Sequence, residues 1–131
     1  MGVRYGFGKT VQLPFPEALE RVTQELHKEG FGVLTEIDVQ ATLKKKLDAD
    51  VRPYRILGAC NPSLAHRALT AEPEIGLLLP CNVLVRQDEA GAVRVEFMDP
   101  AAVLELVGKP EIHRLGMEVR AKLERVMAAL P

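Results

Sequence analysis

Prolines constrain this chain more than any other residue, because each removes a backbone N–H and fixes φ, and so limits where a helix or strand can run. Nine are spread over 131 residues. Pro14 and Pro16 stop an alternating strand that begins at Val3-Arg4-Tyr5-Gly6-Phe7 and resumes at Val11 and Leu13. Pro16 suits a first helical turn, where its missing N–H costs nothing. The helix it opens runs to about Glu29 and buries Leu19, Val22 and Leu26, with Gly30 placed to end it in a left-handed turn. A strand follows at Phe31–Ile37, with Phe31, Val33, Thr35 and Ile37 on one face.

Asp38 caps a short helix with Val39, Leu43 and Leu47 at four-residue spacing. Pro53 introduces the strand Tyr54–Ala59, and Pro62 opens a helix to about Leu69, before Pro73. Gly76–Val85 is the most apolar stretch and reads as a central strand with a bulge at Pro80. Asp88-Glu89-Ala90-Gly91 turns the chain into a strand with Val93, Val95 and Phe97 inward and Arg94 and Glu96 outward. Asp99-Pro100 caps and opens a short helix ending near Gly108. The last helix, about Pro110 to Leu130, carries Ile112, Leu115, Val119, Leu123, Val126 and Leu130 in one stripe.

Five strands with helices between and after them make an α+β domain. The expected architecture is a mostly antiparallel sheet with helices on one face. The polar side chains of the hairpin leave the other face open to water or buried against a second copy.

Composition sets outer limits. One domain of this length buries roughly two-thirds of its unfolded surface. Hydrophobic residues at 47% and charged ones at 27% suit a globular chain. A net charge of −1 provides no field for nucleic acid or an anionic membrane. The run Lys44-Lys45-Lys46 reads as a solvated helix face. The N-terminal residues lack the apolar core of a signal peptide, and no run approaches the length of a membrane span. The expectation is a single cytoplasmic domain whose two cysteines stay reduced. Few Asn, Gln and Ser beside abundant Arg and Glu would suit a heat-adapted source.

Familiar catalytic motifs are missing. Gly8-Lys9-Thr10 would end a phosphate loop only with a glycine at position 3, which is Val3. Ser63 is the only serine and has no glycine elbow. His27, His66 and His113 lie in separate predicted helices with no His-x-x-x-His pair. What stands out is Cys60-Asn61 and Cys81-Asn82, which use every cysteine and asparagine in the chain, each beside a proline.

Strand parity puts Cys81 on the apolar face with Leu79, Val83 and Val85, and Cys60 in phase with Tyr54 and Ile56. Free cysteines most often pack as small hydrophobes. Cys60, however, ends a strand beside a helix start, where unpaired N–H groups favour a thiolate.

Four segments resemble one family: Gly30 to Asp38, Tyr54 to Pro62, Gly76 to Cys81, and Asp99-Pro100. In that order they are similar to domain-of-unknown-function family 302, over nearly the whole chain. The resemblance implies a small α+β domain of β-α-β-β-β-β-α type, like the TATA-binding protein in sheet order. It also implies that Cys60, Pro62, Pro80 and Cys81 are family features. It supplies no activity, and a shared fold is no warrant for DNA binding.

Three functions follow as expectations. The first is a homodimeric domain binding a small ligand or metal in a pocket lined by Cys60, Asn61, Cys81 and Tyr54. A soft metal there would use Cys60, Cys81 and His66. The second is a thiol-dependent or redox enzyme, Cys60 attacking and Cys81 resolving. The third is a structural or interaction homodimer whose cysteines only pack. No motif names a cofactor.

Overall fold

A computed structural model describes residues 2–131. Its centre is a five-stranded sheet in the order β1-β5-β4-β3-β2, antiparallel at every pairing. The strands are β1 (Gly6–Val11), β2 (Gly32–Asp38), β3 (Tyr54–Cys60), β4 (Cys81–Gln87) and β5 (Val93–Met98). The helices are α1 (Phe15–Lys28), α2 (Val39–Leu47), α3 (Pro62–Ala71), the four-residue α4 (Pro100–Val103) and α5 (Pro110–Ala128). The expected α+β class therefore holds, with the short helices as additions to the basic β-α-β-β-β-β-α order. No described helix is long and apolar enough to cross a membrane.

Alternation along β4 and β5 creates the two faces of the sheet. Leu57 and Ala59 of β3, Val83 and Val85 of β4, and Val93, Val95 and Phe97 of β5 are buried on one face. Against them lie Ala18, Val22 and Leu26 of α1 and the whole predicted α5 stripe, all buried. Full burial of each Val, Leu, Ile or Phe contributes about 1.5–3 kcal/mol, so this layer is the main source of stability. On the opposite face Arg86 pairs with Glu96, and Arg94 Nη1 donates to Thr10 Oγ1 at 3.2 Å.

The structure departs from the sequence reading in three places. The first strand starts at Gly6, not Val3, and Gly8-Lys9-Thr10 lies within it. Lys9 Nζ reaches the carbonyl of Leu130 at 2.5 Å, which fastens β1 to the C-terminus. Second, β2 has a bulge between Val33 and Thr35. Val33 pairs with Ala59 and Thr35 with Gly58, so Thr35 and Ile37 share the face opposite Val33. Third, the apolar run before Pro80 is a 3-10 turn, Pro73–Leu78, and the strand begins only at Cys81. Proline cannot donate to a central ladder, and the turn buries Ile75 in the core.

Candidate functional site

Where β3 ends and β4 begins, the strand ends, α3 and α5 form a half-open cavity of about 380 Å³, with Leu34 and Leu69 exposed at its mouth. Leu64, Ala65 and Ala68 of α3 form one wall, and Leu115 and Val119 of α5 another. Phe31, Leu34, Leu79 and Pro80 close the sheet side. Among the described residues no charged one lines it; their side-chain oxygen and nitrogen atoms there come from Thr35 and Asn61, and the two thiols complete the set.

Cys60 is the last residue of β3, opposite Gly32, and is half-buried in the cavity wall. Cys81 is the first residue of β4, opposite Ala59, 7% exposed, and lines the same cavity. Burial pushes the Cys81 thiol up to about 11, and charge on nearby Cys60 adds to the shift. Cys81 thus keeps its proton at neutral pH and is a poor nucleophile there. The strand ends bring together two cysteines that parity assigns to opposite faces.

Asn61 is occupied by the fold. It caps α3, its Oδ1 accepting from the N–H of Leu64 at 3.4 Å. Its Nδ2 donates to the carbonyl of Glu29, just past the end of α1, at 3.3 Å. The approach is possible because residue 30 is glycine: its φ is +87°, and a Cβ there would lie 2.9 Å from Nδ2. Asn61 ties α1 to α3 at the cavity rim, and each end of its amide already has a partner. Asn82 is exposed on the other sheet face, beside a second hollow of about 550 Å³ over Gly6, Gly8 and Leu84.

Tyr54 does not belong to the cavity. It opens β3 opposite Arg86, six residues from Cys60, or about 20 Å along an extended strand. His66 is on the outer side of α3, in a shallow hollow with Arg67, Thr70 and Glu111. Among the described residues no three His, Cys, Asp or Glu side chains converge as a metal site, and His66 lies apart from the cavity that Cys60 and Cys81 line. Strand alternation fixes the face of a residue and not its distance along the sheet.

Sequence assigns Thr35 to a strand face and Leu115 and Val119 to a core stripe, and marks neither these nor Leu34 as lining a site. A bulge brings Leu34 and Thr35 to the cavity, and the α5 stripe reads as plain core. Pro100 did leave a signal, in Asp99-Pro100. Asp99 is buried, accepts from the N–H groups of Ala101 (2.9 Å) and Ala102 (3.4 Å), and pairs with Arg120. Arg120 in turn lies 4.9 Å over the ring of Phe7. That network holds Pro100 against the cavity.

Known proteins with this arrangement lend a fold and no activity. A crystal structure of an uncharacterised conserved DUF302 protein from Bacillus stearothermophilus is similar, with a TM-score of 0.92 and 26% identity. The similarity covers 98% of this chain and 100% of that one. No curated protein matches the chain. The family described as "Domain of unknown function DUF302" matches residues 7–130, and the chain belongs to that family.

Proposed function

We propose that the protein binds a small, neutral, largely apolar molecule in the cavity at the end of β3 and β4, with Cys60 in its wall. The observation that carries this reading is the lining: a half-open space of about 380 Å³ walled mostly by carbon, with two thiols, Thr35 and Asn61 and, among the described residues, no charged side chain. Its size is at the lower end of small-molecule sites. At a liquid share of about 30 Å³ per water-sized group, it holds about a dozen non-hydrogen atoms. A charged ligand would lose part of its hydration against the carbon walls and find no counter-charge among the described lining residues. A metal ion meets the same lack of counter-charge, so an organic ligand is favoured.

Thermal shift with straight-chain alcohols and ketones of graded length tests the reading. A ligand at about 100 times its Kd adds about 2.7 kcal/mol, or about 10 °C in Tm for a domain of this size. Ala65→Trp, which fills the cavity from α3, should abolish the shift. No shift with any member of the series would defeat the reading.

The redox pair is the weaker alternative. Cys81 holds its proton, and Cβ vectors on opposite sides of a sheet do not favour a disulfide. For assembly, a second copy is the natural cover of the open sheet face, where Tyr5 is 66% and Ile37 49% exposed. Light scattering that gives the mass of one chain at every concentration would end that part of the reading.

A further inference from the structure

We propose that Cys60 forms a reversible covalent bond to a neutral α,β-unsaturated carbonyl compound whose hydrocarbon tail fills the cavity. This rests on reading the cavity as a ligand site.

Three observations converge on it. The lining selects an uncharged, hydrocarbon-rich molecule of about a dozen non-hydrogen atoms. The same wall carries Cys60, half-buried and so reachable from solvent. Beside it, the Cys81 thiol is 7% exposed, lines the cavity and makes no hydrogen bond among the described residues, whereas both ends of the Asn61 amide are already taken. An S–H held in its protonated form is a weak donor for a ligand carbonyl and does not compete as a nucleophile.

The missing groups decide the reaction. Among the described residues no histidine, carboxylate, lysine or arginine lines the cavity. Acyl transfer and hydrolysis must expel a leaving group, which draws on a general acid that the described lining lacks. Conjugate addition has no leaving group to expel. The Cys60 thiol gives its proton to water. Its sulfur lone pair forms the S–C bond at the β-carbon, and the C=C pair moves through the α-carbon to the carbonyl oxygen. Water then returns a proton to the α-carbon. Nothing is oxidised or reduced, and the thioether product is as neutral as the cavity that holds it. Elimination reverses each step and restores the thiol.

The test uses the full chain and a series of trans-2-alkenals from pentenal to tetradecenal at neutral pH. Intact mass and peptide mapping follow the adducts, with each rate divided by the rate with glutathione. The expected result is one adduct per chain, at Cys60. Its relative rate should rise by up to about fourfold for each added buried methylene, and stop rising once the cavity is full. Ala65→Trp should flatten the series; Leu69→Trp, at the mouth, serves if that variant does not fold. A relative rate that stays flat with chain length, or an adduct at another residue, overturns the proposal. Saturated nonanol on the wild-type chain separates the two readings. A melting shift with nonanol beside a flat alkenal series refutes covalent capture alone, and no shift with a flat series refutes both.

Discussion

Cys81 reports its surroundings through its proton. Its folded pKa stands near 11 against an ordinary value of 9.0, and burial is the main cause. The folded state therefore holds a proton that the unfolded chain has released between those values. Stability is then highest below pH 9 and falls as pH rises toward 11, by about 2–3 kcal/mol from this group. Urea melts at intervals from pH 8 to 11 should show that decline, and Cys81→Ala should decline less steeply. Equal slopes in the two proteins would mean that the thiol is not buried as described.

Asn61 makes the complementary case at the same scale. Its place before Pro62 was legible as part of a motif, but its role was not. The partner that explains it, the carbonyl of Glu29, lies 32 residues away in sequence and depends on the left-handed turn at Gly30. Asn61→Asp keeps an acceptor for the Leu64 N–H but sets a carboxylate against the Glu29 carbonyl. The expected cost is about 1–2 kcal/mol in chemical denaturation. A cost near zero would return Asn61 to the pool of free ligand-binding groups.

Elements were read well wherever their ends were written locally. Pro62, Pro100 and Pro110 open helices at the expected residues, and Asp38 and Asp99 cap as their spacing implied. Misplaced elements depended on partners distant in sequence. The bulge in β2 sets Thr35 opposite Gly58, whose missing side chain leaves room for it. A Cβ at Gly58 would collide with Thr35 Oγ1 and lie 2.9 Å from Cγ of Pro80. Gly58→Ala should therefore push apart β2 and the start of β4, at about 1–3 kcal/mol. It should also weaken any ligand that Thr35 and Pro80 help to enclose. Denaturation and ligand-induced Tm shifts measure the two effects separately. Loss of stability with ligand binding intact would detach the bulge from the site.

At the scale of the whole molecule, the relative from Bacillus stearothermophilus keeps this backbone at 26% identity, so many different side chains build one frame. The frame accounts for nearly all the buried residues, yet it leaves a space of about 380 Å³ at the end of the sheet. A cavity of that kind forfeits contacts that a folding sequence could have made. Filling it should help the fold and harm the site, which is the signature of a space kept for binding. Ala65→Leu adds three carbons to its α3 wall. The free protein should gain about 0.5–1.5 kcal/mol, while the ligand-induced rise in Tm shrinks. A gain in stability with the ligand effect undiminished would place the ligand elsewhere. Loss of both would show that the wall at Ala65 is already packed to its limit. Only opposite signs in one protein distinguish a retained binding space from an imperfection in packing.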